Sequence, residues 1–214
     1  MSGPSLAPSP WASGRWTWFR TPDRRILALS VVIQLALAVF LGHSRDTRMF
    51  LATGYLVATG HSPYVSMDLT GVFHHVGFKA VSVIGYPPPW PLLLGAIYRG
   101  FYSVGHDLLV YNFAVKLPVI AATVALAYLV AAIAQNLGAG PAASRRAWIA
   151  LMLNPFLLYV AAAWGQIDPI AALLALAALV LAVSRPSLSA VVLALAVCFK
   201  PIAVPVVLVV LVYL

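Results

Sequence analysis

Six apolar runs, at residues 26–42, 108–137, 147–164, 169–183, 188–199 and 202–214, constrain this chain more than anything else in it. Several approach the roughly 20 residues that a bilayer span requires. In lipid each backbone N–H and C=O must be satisfied within the protein, and a helix does so within itself. The expected fold is therefore all-α: a polytopic transmembrane helix bundle. The chain is 63% hydrophobic and 8% charged over 214 residues, which argues against a soluble domain with a large core. The net charge of +8 comes from cations scattered near the ends of the apolar runs. With no basic run present, it points to positive-inside topology and membrane lipid headgroups rather than nucleic acid. Cys198 stands alone, so neither an internal disulfide nor a cysteine metal site is available.

Residues 1–25 read as a cytoplasmic N-terminal segment. Its first part, to about residue 14, is Pro, Ser, Gly and Ala without periodicity, the composition of disorder. Arg15-Trp16-Thr17-Trp18-Phe19-Arg20 and Arg24-Arg25 then mark a membrane edge on the cytoplasmic side. No Ala-x-Ala-like site follows the run at 26–42, so it reads as an uncleaved first span rather than a signal peptide. Residues 26–214 form the transmembrane domain. The final apolar stretch, 206–214, has no polar flank, and a membrane helix is expected to continue past it.

Between the first two long runs lies an outer loop, residues 43–108. It holds all five histidines and three of the five aspartates. Residues 48–59 have the pattern of a helix too short to span, suited to the interface. Gly60-His61-Ser62-Pro63-Tyr64 reads as a turn and 65–85 as loop. Tyr86-Pro87-Pro88-Pro89-Trp90-Pro91 cannot be helix interior, since four prolines remove four donors. It can start a helix, with Pro91 in the first turn of a short one at 92–102. That segment either crosses the membrane or dips in and returns. The dipping, re-entrant topology places Arg145 and Arg146 (in a loop at 138–146) and Arg185 (in a tight loop at 184–187) inside, as the charge rule prefers. It also gathers Asp46, Tyr86, Asn112, Lys116, Gln166, Asp168 and Lys200 at the outer face, and is the topology expected here.

Several of these residues suit chemistry. Asp46 follows the first span and can serve as a general base. It can equally pair with Arg45 or Arg48, or cap the interfacial helix. Gln166 and Asp168 can hydrogen-bond a polar ligand such as a sugar, while Asp168 before Pro169 is also a good N-cap. Lys116 and Lys200 are cations in apolar runs, and such residues face a bundle interior or water. A lipid phosphate, snorkelling to headgroups, or an Asp partner would each explain them. His61, His74 and His75 do not have the spacing of a zinc site. Arg99 and the aromatic residues near it read as interface anchors.

The order of Asp46, Gly60-His61-Ser62-Pro63-Tyr64, Tyr86-Pro87-Pro88, Lys116-Leu117-Pro118, Asn154-Pro155, Trp164-Gly165-Gln166-Ile167-Asp168 and Lys200-Pro201 resembles the GT-C superfamily of integral membrane glycosyltransferases. It is most similar to the polyprenol-phosphate-mannose-dependent mannosyltransferases, over residues 26–214, which correspond to their N-terminal half. The resemblance implies a helix bundle whose first outer loop carries juxtamembrane helices and the catalytic Asp. It makes Asp46 the general base, and it places Lys116, Lys200, Gln166, Asp168 and Tyr86 around the donor and its phosphate. No cofactor is expected. The first-loop carboxylate is single where some relatives have a pair, which favours a metal-free mechanism.

The expected activity is transfer of mannose or another hexose from a polyprenyl-phosphate donor to the hydroxyl of a glycan or lipid-linked acceptor. It would take place at the extracytoplasmic face of the plasma membrane. The alternative is a transporter or flippase of a polar or lipid-linked solute, which also uses intramembrane lysines and broken helices.

Overall fold

The computed structural model describes residues 23–76 and 84–213, so the disordered and interfacial segments expected before residue 23, and part of the 65–85 loop, lie outside the described residues. Among the described residues there is no strand, and eight helices of nine residues or more account for the architecture. They are α1 (Arg24–Phe40), α2 (Ser44–Ala58), α3 (Pro89–Ile97), α4 (Leu108–Asn136), α5 (Pro141–Met152), α6 (Asp168–Ala182), α7 (Pro186–Phe199) and α8 (Val204–Tyr213).

Local chemistry explains where these helices begin. Asp23 caps α1 by accepting from the Arg25 and Ile26 N–H groups, so the helix starts two residues before the expected position. Asp107 does the same for α4 through Leu109 and Val110. Pro89 opens α3, and Pro91 also fits within its first turn, where a missing N–H costs nothing. The first helical hydrogen bond runs from Leu92 N to Pro88 O at 3.0 Å. The helix therefore starts at the Pro-rich motif rather than after it, and passes through a π turn at Tyr98–Tyr102. Pro141 likewise opens α5, so Arg145 and Arg146 lie on a helix and not in the expected loop. Pro186 opens α7, which shortens the expected loop at 184–187.

By length and hydropathy, α4 and the Pro141–Trp164 stretch can each cross a membrane, and α1 with α2 makes a third candidate bent by 82°. At 1.5 Å per residue α4 extends for about 43 Å, against about 30 Å of hydrocarbon. The run expected to span at 169–183 falls short of that length, as does the apolar run at 188–199. Their helices, α6 and α7, have 15 and 14 residues, or about 22 Å. They pack closely as a hairpin through Ala175, Ala178, Ala182 and Ala196, and Ser189 Oγ donates to Ala178 O at 2.7 Å. Small residues and hydroxyls of this kind let helix backbones approach in an apolar setting.

Three contacts define the ends of the helix set. Arg145 at the start of α5 pairs with Asp23 at the start of α1 at 3.2 Å. At the other end, Asn112 of α4 donates to Leu41 O at 3.3 Å, and Thr47 of α2 donates to Asn112 Oδ1 at 3.0 Å. The chain thus leaves α1 at Leu41 and enters α4 at Leu108 at the same end. Helices α2 and α3 lie at that end. Those two helices pack on α4 through Phe50, Leu51, Trp90, Leu94 and Tyr111. Tyr111 OH closes the contact on Phe50 O at 2.8 Å. Gly54 and Gly95 permit the close approach: a Cβ on Gly95 would lie 2.5 Å from Val57 Cγ1.

Candidate functional site

The sharp bend after α1 creates the site. Residues 41–43 break the helix, and α2 restarts with His43 as its cap. Its beginning at Ser44, earlier than the expected residue 48, places Asp46 in the first turn, where the helix dipole favours an anion. Asp46 Oδ2 accepts from Trp164 Nε1 at 2.6 Å and from Gln166 Nε2 at 2.8 Å. His43 Nδ1 lies 3.3 Å from Oδ1, and the His43 ring packs on Trp164 with centroids 5.1 Å apart. The Asp46 side chain is 15% exposed. Its carboxylate holds these cross-chain partners rather than serving as the helix cap.

The partners come from a built turn. Asn154 accepts from Phe156 and Leu157 N–H groups and restarts the helix after a break within the expected 147–164 span. A π turn at Leu158–Trp164 follows, and Gly165 ends it at φ 86°, a left-handed conformation suited to glycine. Gly165 N and Gln166 N both donate to Val160 O. Gln166 emerges facing Asp46, while its Oε1 accepts from Tyr86 OH at 3.1 Å. The carboxylate on one side and the phenol on the other thus fix the amide's orientation. Burial holds the Tyr86 phenol above its usual value, helped by the negative charges of Asp46 and then Asp168, so it remains a neutral donor.

Asp168 is the first residue of α6, and Ile167 occupies the cap position. The N-cap role that the Asp168-Pro169 pattern suggested is not what its side chain does. Asp168 Oδ1 instead meets Lys200 Nζ at 2.6 Å. Lys200 ends α7 in an extended conformation, the one a following proline imposes. Trp164, Gln166, Asp168 and Lys200 rim an open groove of about 480 Å³, whose apolar wall includes Leu126, Phe156 and Val160.

Lys116 is placed differently from Lys200. It is 1% exposed. Its ammonium donates to Ala38 O at 3.2 Å and, more closely, to Leu41 O. Those are carbonyls at the C-terminal end of α1 that the helix cannot satisfy itself. Its stem packs under Gly165, where a Cβ would come within 3.1 Å of Lys116 Cγ. Lys116 therefore joins the α1 bend to the Gly165 turn. It does not line the groove.

No family model, curated protein or solved structure matches the chain. The site must be read from its own geometry. Asp46, Tyr86, Gln166, Asp168 and Lys200, chosen from the sequence, form one hydrogen-bonded series at one end of the helix set, interrupted only between Gln166 and Asp168 along the backbone. Sequence reasoning gave no role to Trp164 Nε1 or His43. Their signal was position: one stands directly before Gly165-Gln166, the other three residues before Asp46. Chemically, the arrangement offers a carboxylate with one oxygen engaged by two neutral donors, beside a groove with an ammonium at its rim.

Proposed function

We propose that this chain is a membrane glycosyltransferase of the GT-C type, moving a hexose, such as mannose, from a polyprenyl-phosphate donor to an acceptor hydroxyl. The observation that carries the reading is the Asp46 carboxylate, held by Trp164 and Gln166 beside a groove rimmed by Lys200. In this reading the Asp23 and Arg145 end of the bundle faces the cytoplasm. The site end faces outward from the plasma membrane, with α2 and α3 as the juxtamembrane, re-entrant part of an outer loop. Arg145 and Arg146 then fall on the cytoplasmic side.

Asp46 takes the proton of the acceptor hydroxyl as its oxygen bonds to the anomeric carbon. The bond from that carbon to the phosphate oxygen breaks, and its electron pair leaves with the polyprenyl phosphate. Lys200 neutralises the leaving phosphate, an interaction strengthened where water is scarce. Gln166 orients Asp46 and is itself oriented by Tyr86. The groove's apolar wall suits the first isoprene units. Lys116 acts here as a positioning residue, because its ammonium is engaged by Ala38 and Leu41 carbonyls.

The test is transfer from a radiolabelled polyprenyl-phosphate hexose by membranes carrying the protein. Asp46→Asn should lower turnover by about 10²- to 10⁴-fold, the usual worth of a general base. Turnover equal to wild type would remove Asp46 from the role.

A further inference from the structure

We infer that Asp168 sets the charge selectivity of the groove, offsetting Lys200 so that the phosphate monoester that transfer leaves behind is not held more tightly than the diester donor. This rests on the donor reading above.

Lys200 is the ammonium among the groove-lining residues, and it already meets Asp168 at 2.6 Å. Lys116 cannot add a second, since it is buried against the end of α1. Asp46 accepts from Trp164 and Gln166 and is outside the groove lining as well. The Tyr86 phenol is neutral. The groove lining therefore carries one lysine against one aspartate, and the two meet as a pair.

A glycosyl donor of this kind is a phosphate diester with one negative charge. Transfer breaks its sugar bond and leaves a monoester, whose second ionisation near pH 6 gives it about −1.5 to −2 at neutral pH. A rim with strong positive charge would hold the product more tightly than the donor and stall on it. A lysine whose charge is offset by Asp168 loses that preference. Asp168 is 40% exposed and Lys200 24%, so solvent screens the effect without removing it. Because the repulsion scales with ligand charge, removing Asp168 should strengthen monoester binding by about tenfold and diester binding by about threefold.

Two probes with the same tail isolate the charge: farnesyl phosphate, a monoester, and farnesyl methyl phosphate, a diester. Binding to the full chain in one detergent at pH 8 would be followed by calorimetry. Wild type should bind the two with similar affinity. Asp168→Asn should shift the ratio toward the monoester by about threefold or more, and Asp168→Ser should do the same without the amide. Lys200→Met should weaken both. Equal gains or equal losses for the two probes in both Asp168 variants would overturn the selectivity role and leave the donor reading standing. If neither probe binds to wild type or any variant, the donor reading fails and this inference with it.

Discussion

Replacing Gly95 with alanine tests the packing that holds the site's end of the molecule together. The added Cβ would lie 2.5 Å from Val57 Cγ1 and 2.9 Å from Val57 Cβ. Carbon contacts settle at about 3.5–4.0 Å, so the shortfall is about 1 Å. Val57 cannot turn away, because a β-branched side chain on a helix has one favoured rotamer, and its Cβ is fixed to the backbone. Helices α2 and α3 must therefore part, at about 1–3 kcal/mol for overpacking. Alanine also gains about 1 kcal/mol of helix propensity over glycine. Gly100→Ala supplies the control, since a Cβ there meets nothing within 4 Å. The difference between the two variants isolates the steric part. At about 2–4 °C per kcal/mol for a chain of this size, Gly95→Ala should melt about 2–12 °C below Gly100→Ala. The assay is thermal denaturation of purified protein in one detergent, followed by tryptophan fluorescence. Adding Val57→Ala to Gly95→Ala should recover part of the loss, with a coupling of at least about 0.5 kcal/mol. If Gly95→Ala is as stable as Gly100→Ala, the α2–α3 crossing is looser than described and the placement of Asp46 loses its support.

Other outcomes follow from single contacts. Ser30→Ala removes the 2.5 Å bond from Ser30 Oγ to Met152 O and the acceptor of Gln34 Nε2, so stability should fall by about 1 kcal/mol, read by the same melting assay. The Asp23 carboxyl sits below its usual value because the Ile26 N–H holds it as an anion, with Arg145 and the Arg25 N–H adding to this against some burial. A depressed carboxyl stabilises the fold above its unfolded value of about 3.8 and stops doing so as pH falls through the folded one. Wild type should therefore lose more stability than Asp23→Asn between pH 7 and pH 3. Equal losses would show that this cap does not contribute.

Helical class was legible in the apolar runs alone, and so was the presence of helices long and apolar enough to be candidate membrane spans, because backbone polarity leaves such segments few options in lipid. Asp46, Tyr86, Gln166, Asp168 and Lys200 stood out because polar residues beside apolar runs are expensive enough to need a reason, and the fold brings them to one end of the helix set. Span lengths were not legible: periodicity in a uniformly apolar segment does not say where a helix ends, and the breaks at Asn154 and Gly165 depend on caps and on a left-handed turn.

Roles were decided only in three dimensions. Lys116 and Lys200 look alike in sequence, each a lysine near a proline in an apolar run. One is buried on the carbonyls of α1, and the other stands at a groove paired with Asp168. Asp168 had the sequence of a helix cap, yet its carboxylate reaches Lys200 at the end of another helix instead. Sequence carries the price of placing a charge in an apolar chain. It does not carry the identity of the partner that meets that charge, because the partner arrives from 32 to 120 residues away and only packing brings it there.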